Sequence, residues 1–334
     1  MSWEKIDWKT LERMRSVFLR GDPSQADYWK TESDLESYDQ TFAQRIGWKW
    51  DFVLEDLKSR QWRPAPGAVL DWGCGSGVAS RAFLDHFGTA GFSRLIVWDR
   101  SPLAMQYAVR KARQKYPGLA VGSGQGEGEA TAGLNLVISH VLTELTPQQI
   151  NQLVEWARQA TTILWVEPGA FVPSRVLMGL RDRLIDEFQV AAPCTHQQAC
   201  GLLHPDCSDH WCHHFADPPP EVFMDGDWSR FAALEGIDLR SLPLSCLVLD
   251  KRPVPPCVPG SVRLIGRPRM YKAYAQLLGC DGEGIHDSKL FRRTLPAEFR
   301  LARKGELESR MIWSQAEGEV RSLSRSTAGE PPGT

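Results

Sequence analysis

The sequence predicts an α/β protein in which helices cover a parallel β-sheet. Two observations support this prediction. From residue 64 onward, short apolar runs alternate with longer amphipathic segments, which is the pattern of βαβ units. The first apolar run leads directly into a glycine-rich turn and a predicted helix, as the first strand of such a sheet often does. With 334 residues, 42% of them hydrophobic, the chain is long enough to bury a self-sufficient core.

The first 60 residues are predicted to be helical, because apolar residues such as Trp8, Leu11 and Met14 recur there at spacings of three and four. Pro64 and Pro66 end this region. The predicted strands that follow are 68–72, 95–98, 134–138 and 163–166, and the predicted helices are 77–87, 101–115, 147–160 and 172–187.

The remaining segments have a less regular pattern. The glycine-rich stretch 121–133 is predicted to be a loop. After residue 190 the alternation stops, and strand-like runs return only at 245–249 and 270–278. These patterns divide the chain into a helical N-terminal cap (1–62), a Rossmann-like core (63–190), a cysteine-rich insertion with the final strands and a basic segment (191–304), and a tail predicted to be disordered (305–334).

Composition excludes several classes of protein. The 39 Lys and Arg residues nearly balance 41 Asp and Glu residues, so the net charge of −2 gives no whole-molecule basic field, and any nucleic-acid surface must be local. No apolar run approaches the roughly 18 residues that cross a bilayer, and the N-terminus has no apolar signal-peptide region. We therefore expect a cytoplasmic protein that does not contact membranes.

The segment VLDWGCGSG at 69–77 joins an apolar strand, an acidic residue and a glycine turn. Glycines let the backbone approach a ligand closely and adopt dihedral angles that a Cβ forbids. A dinucleotide site would need glycine where the chain has Val78, whereas an acidic residue at the position of Asp71 is typical of S-adenosylmethionine sites.

A second acidic residue, Asp99, follows the next predicted strand, 28 positions after Asp71. It is therefore expected at the carboxyl end of the neighbouring strand, where a carboxylate can accept hydrogen bonds from both ribose hydroxyls. The glycine turn and Asp99 together predict a site for a cofactor that contains a nucleoside.

Four segments resemble, in the correct order, the motifs of class I S-adenosylmethionine-dependent methyltransferases: VLDWGCGSG, WDRSPLAMQYA, LNLVISHVLTELT and LWVEPG. The resemblance covers roughly residues 65–185 and implies a Rossmann-like class I methyltransferase sheet. It also implies which residues would bind S-adenosylmethionine: Asp71, Gly73, Gly75, Gly77, Asp99, Arg100 and Ser139.

The catalytic chemistry is less determined than the fold. The Asn/Asp-Pro-Pro-aromatic signature of amino-group methylation is absent after the fourth strand, and no Pro-Cys or Thr-Cys dipeptide is there to act as a cytosine nucleophile. His140 is a candidate general base because histidine titrates near neutrality, and a purely structural histidine is the alternative. Cys74 within the turn is interpreted as a small spacer.

Four of the eight Cys and five of the eight His residues lie between positions 194 and 214. In a cytosolic protein such a group indicates a metal before disulfides. No Cys-x2-Cys pair is present, so zinc ribbons and fingers are not matched. Thiolates select zinc, copper or iron–sulfur clusters, and the residues alone leave the metal open, with four reduced thiols as the alternative.

The pattern APC-x-H-x3-C followed by W-C-H-H-F resembles the family of mitochondrial small-ribosomal-subunit assembly factors called methyltransferase-like protein seventeen, and its bacterial relatives. The resemblance covers about residues 35–304 and implies association with the small ribosomal subunit or its rRNA. The chain departs from the family at Thr195 and Gly201, where the family has prolines. The implied ligands of a 4Fe-4S cluster are Cys194, Cys200, Cys212 and Cys280, with Cys207 as an alternative ligand.

Residues 251–304 form a basic segment with twelve basic and four acidic residues. Such a segment can follow phosphates, and arginine can also stack on bases, whereas the alternative is a solvated face balanced by acids elsewhere. The candidate RNA-binding residues are Arg267, Arg269, Lys272, Lys289, Arg292 and Arg293. Because Cys280 lies in this segment, a bound cluster would tie the segment to the sheet.

Three functions remain open at this stage. The chain can be an RNA methyltransferase, or a catalytically inactive ribosome assembly factor that keeps the cofactor pocket. It can also be a zinc-containing methyltransferase of a small molecule. The missing catalytic signatures favour the second function, and the intact Asp71, glycines and Asp99 favour the first.

Overall fold

The structure is a computed structural model that describes residues 3–20, 29–124 and 133–326. The elements up to residue 168 are, in chain order, α1 (Trp8–Arg20), α2 (Glu32–Asp39), α3 (Phe42–Ser59), β1 (Gly67–Trp72), α4 (Val78–Phe87), β2 (Phe92–Trp98), α5 (Pro102–Lys115), β3 (Ala120–Ser123), β4 (Asn135–Ser139), α6 (Pro147–Ala157) and β5 (Thr162–Pro168). None of the helices in the described ranges is long and apolar enough to cross a membrane.

The later elements include most of the strands that the sequence pattern does not predict. They are α7 (Phe171–Leu184), β6 (Gln189–Ala192), β7 (His214–Ala216), α8 (Gly226–Glu235), β8 (Leu242–Asp250), β9 (Ser261–Met270), β10 (Tyr274–Asp281), β11 (Gly284–Phe291), α9 (Pro296–Lys304), β12 (Arg310–Ala316) and β13 (Glu319–Arg325). The chain divides into two compact units. The first comprises Met1–Glu55, Arg63–Glu167 and Ala216–Leu242, and the second comprises Asp56–Trp62, Pro168–Phe215 and Pro243–Thr334.

The first unit contains a parallel sheet with the strand order β3-β2-β1-β4-β5. Central strands of this kind are buried on both faces, which is why they form continuous apolar runs in the sequence. The chain continues to one side of β1 through β2 and β3 and to the other side through β4 and β5. Ligands of such sheets bind at the carboxyl ends of the strands where this direction reverses. The predicted α/β class with a Rossmann-like sheet is confirmed.

The helices of the first unit have sequence-encoded ends and shared apolar contacts. Thr31 caps α2 in a reciprocal capping box with Asp34. Met14 of α1 and Leu35 of α2 pack with Tyr107 of α5 in one apolar cluster. This packing agrees with the helical pattern predicted for the first 60 residues, of which residues 21–28 lie outside the described ranges.

In the second unit, β9 to β13 form a closed five-stranded barrel in which neighbours follow the order β10-β11-β13-β12-β9. All neighbours are antiparallel except β11 and β13, which are parallel. The barrel core consists of Val262, Leu264, Ala275, Leu277, Leu290, Phe299, Ala302, Trp313 and Val320. Outside the barrel, β6 pairs with β8 in an antiparallel manner and β7 also pairs with β8.

Two predictions from the sequence are wrong in the region of the barrel. The tail from residue 305 was predicted to be disordered, but 310–325 form β12 and β13, and only 327–334 lie outside the described ranges. A barrel strand needs an apolar residue only at every second position, so the polar sequence of β13 resembles a disordered segment in composition. The single strand predicted at 270–278 is instead the end of β9, a tight turn and part of β10.

The predicted loop at 121–133 is also partly wrong, because 121–123 belong to β3 at the edge of the sheet. This strand has four residues and pairs on one side only, so it carries little apolar signal. Residues 125–132 of the predicted loop lie outside the described ranges.

Candidate cofactor pocket and thiol cluster

The glycine turn lies between β1 and α4, at the carboxyl edge of the sheet in the first unit. Gly73, Gly75 and Gly77 have φ angles of 71°, 49° and 78°, which are in the left-handed region that favours glycine. A Cβ placed on Gly75 would meet no protein atom within 4 Å. The turn therefore leaves open space directly beside the Gly75 backbone.

The carboxylate of Asp99 is bound to this turn. Its Oδ2 accepts a hydrogen bond from the Gly75 backbone N–H at 2.9 Å, and its Oδ1 accepts one from the Ser101 N–H at 2.9 Å. Asp99 is half-buried. The neighbouring Arg100 is exposed and forms an ion pair with Glu144 at 3.1 Å.

Asp71 has a different environment from Asp99. It is fully buried at the end of β1, where its Oδ2 accepts hydrogen bonds from the hydroxyl of Ser80 at 2.5 Å and from the Ser80 N–H at 3.3 Å. Burial raises the pKa of Asp71 to about 7, and the bonds from Ser80 oppose this shift. Its Oδ1 has no hydrogen-bond partner within the protein, and a buried oxygen of this kind is expected to bind a water or ligand.

Side chains of α2, α4 and α5 hold the turn in place. Arg81 of α4 donates to the Ser76 carbonyl at 2.6 Å and forms a short ion pair with Asp39 of α2. The hydroxyl of Tyr107 also donates to Asp39, at 3.2 Å. The turn is thus fixed by side chains that sequence motifs do not identify.

A second polar group follows β4. The Trp50 indole N–H donates to the Ser139 hydroxyl at 3.0 Å, and this hydroxyl is 3.1 Å from Nδ1 of His140. The Lys49 amine is 3.2 Å from Nε2 of His140. Burial lowers the pKa of Lys49 to about 7, and burial together with Lys49 holds the pKa of His140 well below its usual value. Near pH 7 the His140 ring is therefore neutral, and Lys49 is present in both its neutral and its protonated form.

Glu167, at the end of β5, fixes the loop after His140. Its fully buried carboxylate accepts hydrogen bonds from the Val141 and Leu142 N–H groups at 3.1 and 3.2 Å, and from the Trp165 indole at 2.7 Å. Burial raises the pKa of Glu167 to about 7, against these hydrogen bonds. Sequence reasoning missed Lys49 and Glu167, although an acidic residue that ends a buried strand is a detectable signal.

The second unit brings together four of the predicted ligands and one further thiol. We call this group the thiol cluster, and its members are Cys194, Cys200, Cys212, Cys246 and Cys280. Cys212 interacts electrostatically with the other four members, and Cys280 interacts with Cys194 and Cys200. Burial, reinforced by neighbouring thiols, raises the pKa of Cys212 and Cys280 well above the usual thiol range.

Two further cysteines, Cys207 and Cys246, lie near the four proposed ligands. Cys207 is half-buried and packs against the same apolar cluster as Cys200 and Cys280. Cys246, for which no role is predicted from the sequence, is buried on β8 next to Cys212. In a buried strand such as β8, the sequence pattern does not distinguish a single cysteine from any other small apolar residue.

Histidine and arginine side chains surround the thiol cluster. Nε2 of His196 is 3.6 Å from the Cys280 sulfur, and Nε2 of His214 is 3.7 Å from the Cys212 sulfur. Arg181 is 3% exposed, hydrogen-bonds Cys194, and keeps a buried Nε without a hydrogen-bond partner. Across the described ranges, no three His, Cys, Asp or Glu residues are arranged closely enough to hold a single metal ion.

The six candidate RNA-binding residues, Arg267, Arg269, Lys272, Lys289, Arg292 and Arg293, are all exposed on the barrel or its loops. Two other basic residues of the segment form ion pairs within the protein. Arg263 is 2% exposed and binds Asp56 at 2.9 Å, and Arg252 binds Asp250 at 2.7 Å. The basic segment therefore contributes structural ion pairs as well as exposed cations.

The sheet, the glycine turn and the paired acidic residues define a methyltransferase-like protein with a Rossmann-like sheet. A family model described as mitochondrial small ribosomal subunit Rsm22 matches residues 49–218. The chain belongs to this family, which confirms the family resemblance found in the sequence. None of the curated proteins matches the chain.

Several solved structures are similar to parts of the chain. Magnesium protoporphyrin IX methyltransferase from Synechocystis, solved with bound SAM, has 13% identity and a TM-score of 0.37, and the match covers 74% of this chain and 98% of that one. A SAM-dependent methyltransferase from Aquifex aeolicus has 15% identity and a TM-score of 0.35, with 48% and 90% covered. TrmK of M. capricolum, in complex with S-adenosyl-homocysteine, has 8% identity and a TM-score of 0.33, with 61% and 69% covered.

Proposed function

We propose that this protein binds S-adenosylmethionine in the pocket beside the glycine turn and acts on the small ribosomal subunit or its rRNA. The observation that carries the cofactor assignment is the open space at Gly75, with the Asp99 carboxylate directly beside it. The membership in the Rsm22 family supports the ribosomal assignment.

The residues of the pocket fit such a cofactor. The Gly75 backbone allows close approach, and a carboxylate at the position of Asp99 is the group expected to accept hydrogen bonds from ribose hydroxyls. The unpartnered Oδ1 of Asp71 supplies one more acceptor behind the turn. S-adenosylmethionine would supply an electrophilic methyl group, and Lys49, which lies 3.2 Å from the His140 ring and whose pKa is lowered to about 7, could take a proton from the methylated atom.

Calorimetry with S-adenosyl-homocysteine tests the cofactor site. Asp99→Ala should weaken binding by roughly ten- to a hundredfold, because loss of charge-assisted hydrogen bonds costs about 1.5–3 kcal/mol. Asp85→Ala is the matched control, since Asp85 is an exposed carboxylate of the same unit that pairs with Lys115. Unchanged binding by the Asp99 variant would contradict the ribose assignment.

Gly75→Ala gives an independent test of the same pocket. The added methyl group meets no protein atom, so the protein should fold with only the modest strain of a positive φ angle. Binding should nevertheless fall if the ligand occupies this space. A variant that binds normally would show that the cofactor lies elsewhere.

Methyl transfer distinguishes an enzyme from an inactive assembly factor. The Lys49–His140 pair favours an enzyme, because it places a lysine whose pKa is lowered to about 7 beside a buried histidine at the end of β4. Purified small-subunit RNA incubated with labelled S-adenosylmethionine should gain label, and Lys49→Met should reduce the rate without changing cofactor affinity. Absence of label with every precursor of the subunit would favour the inactive assembly factor.

We further propose that Cys194, Cys200, Cys212 and Cys280 hold a 4Fe-4S cluster. The thiolates of such a cluster bind four separate iron atoms, so they need not converge on one point as the ligands of a single ion do. The buried thiols repel one another when ionised, and a cationic cluster core would remove that cost. The free Nε of Arg181 could offset the remaining negative charge of the thiolates.

Anaerobic purification with metal analysis tests this proposal. The protein should be brown and contain iron and sulfide, and serine at each of the four ligand positions should remove the colour, whereas Cys207→Ser should keep it. One zinc per chain in colourless protein would favour the alternative of a zinc-containing methyltransferase. Loss of colour in Cys246→Ser with retention in Cys280→Ser would give the fourth position to Cys246.

Sedimentation with purified small subunits tests the ribosomal partner. Because phosphate contacts release counterions, binding should weaken steeply with salt, and replacing Arg292 and Arg293 by Ala should reduce the salt slope by about one unit per lost contact. Protein that stays free at every salt concentration, with or without metal, would contradict association with the subunit.

A further inference from the structure

The barrel of the second unit has a recognisable topology. Counted along the chain, its five strands neighbour one another in the order 1-2-3-5-4-1, and α9 lies between the third and fourth strands. This is the arrangement of the OB-fold, a Greek-key barrel whose ligands bind across strands two and three and the loop between strands one and two. The corresponding elements here are β10, β11 and the turn after β9.

The outer face of the barrel is divided into two parts. Ala275 and Leu277 of β10 point into the core, so the alternate residues of this strand face outward. Toward the end of β10, the outward Leu278 and Cys280 are covered by the cysteine-rich segment through Leu202 and its neighbours. The residues at the start of β10 do not belong to this apolar cluster of described residues.

We define the open face as the part outside this apolar cluster. It consists of Arg269 and Lys289, which are exposed, and of Tyr274, Gln276 and Phe291, which are half-buried. Gln276 pairs in register with Arg269 on one side and with Lys289 on the other, so the three side chains form one row across β9, β10 and β11. Tyr274 pairs with Phe291 in the next row, with ring centroids 5.6 Å apart. The Lys289 amine lies 5.4 Å from the centre of the Tyr274 ring.

Two neighbouring features extend this face. In the turn after β9, Tyr271 is 47% exposed and stacks on Tyr274 with a centroid distance of 4.6 Å. On the other side, a cleft of about 160 Å³ lies between Trp211, His213, Arg269 and Gln276. The His213 ring fits there because Gly266, at a bulge of β9, has no side chain to meet it.

We propose that the open face binds a short unpaired stretch of RNA, with bases stacked on Tyr271 and Phe291 and phosphates bound by Arg269 and Lys289. This inference rests on the proposed ribosomal function and specifies that the barrel binds unpaired rather than duplex RNA. Exposed aromatic rings interleaved with cations are the features by which proteins bind single strands, because every base can stack and every phosphate is charged. A duplex hides its base faces and cannot use the rings.

Fluorescence anisotropy with a labelled 12-nucleotide single-stranded RNA tests the proposal on the full chain. The single strand should bind, and the same strand annealed to its complement should bind far more weakly. Tyr271→Ala should weaken binding by roughly five- to a hundredfold, as expected for the loss of one stacked base. Phe223→Ala is the matched control, since Phe223 is a ring that is 50% exposed in the other unit.

A second pair of variants tests the contribution of the cations on the open face. Arg269→Ala should weaken binding and reduce the salt slope by about 0.7, the value for one phosphate of a single strand. Arg300→Ala removes an exposed arginine of α9 on the same barrel and should leave both quantities unchanged. Thermal unfolding of each variant excludes a folding defect as the cause.

The outcomes separate this inference from the proposed function. Equal affinity for single strand and duplex, or equal effects of Arg269→Ala and Arg300→Ala, would overturn the open face as a single-strand site. If small subunits then still bind the protein, the ribosomal function stands without it. If single-stranded RNA binds as expected and subunits do not, the open face stands and the ribosomal partner is wrong.

Discussion

Removal of the Asp56 carboxylate should destabilise the second unit strongly. Oδ2 of Asp56 accepts hydrogen bonds from Nη1 of Arg263 at 2.9 Å and from Nε of Arg60 at 3.1 Å. The side chains of Asp56, Arg60 and Arg263 are 10%, 4% and 2% exposed. Burial alone would raise the pKa of Asp56, but the two arginines outweigh it and the pKa is lowered.

The expected loss in the free energy of unfolding depends on which hydrogen-bond partners Arg60 and Arg263 retain in the variant. Arg60 still donates to the Pro193 carbonyl at 2.7 Å and the Ala191 carbonyl at 3.0 Å, so its charge remains hydrogen-bonded. Arg263 loses its carboxylate partner in a buried position. Breaking a buried ion pair costs about 3–5 kcal/mol, and we expect Asp56→Ala to lower the free energy of unfolding by this amount.

Urea unfolding measures the effect. Because the pKa of Asp56 is lower in the folded protein, its contribution is present above the unfolded pKa of 3.8 and is lost as the pH falls through the folded value. The difference between wild type and variant should therefore be constant from pH 6 to 8 and shrink below pH 4. Glu306→Gln, which removes an exposed partner of Lys304, should change stability by less than about 0.5 kcal/mol.

A double variant separates the charge effect from the packing effect. Asp56→Leu combined with Arg263→Met replaces the pair by apolar groups and should recover much of the loss, since apolar replacements of buried pairs are often neutral. A difference below about 1 kcal/mol between wild type and Asp56→Ala at pH 7 would refute the reasoning.

Three further predictions concern other parts of the chain. Gly279→Ala should destabilise the barrel by about 1–3 kcal/mol in urea unfolding, because the added Cβ would lie 2.1 Å from the Trp313 ring. The pKa of Lys49 is about 7 in the folded protein and 10.5 in the unfolded chain, so between these values the unfolded chain binds more protons and stability rises with pH. Lys49→Met should remove this rise in a series of thermal unfolding measurements from pH 7 to pH 10. Thr31→Ala should cost about 1 kcal/mol by removing the cap of α2, and an unchanged midpoint would contradict the capping box with Asp34.

The sheet could be predicted from the sequence because its strands are buried on both faces. β1, β2, β4 and β5 are each within a few residues of the predicted ranges, since a continuous apolar run bounded by turn residues has few alternatives. The barrel could not be predicted in the same way. Its strands are apolar on one face only, and β12 and β13 bury few large side chains.

The candidate site shows the same division. The glycine turn and Asp99 are local signals, and the structure places them in contact. Lys49 and Glu167 acquire their perturbed pKa values only from tertiary burial, which no spacing in the sequence reports. The position of Cys280 came from family resemblance, because its sequence neighbours do not indicate a ligand.

The cysteines of the thiol cluster are far apart along the chain and are therefore synthesised at different times. Cys280 follows Cys212 by 68 residues, which takes about 3–14 s at about 5–20 residues per second. Cys280 lies on β10, which pairs with β9 and β11, and the barrel closes only after β12 and β13 have been made. During that interval the earlier thiols lack the partner that helps to bury them, and they remain open to oxidants. The order of the residues along the chain therefore makes completion of the cluster one of the last events in the maturation of the second unit.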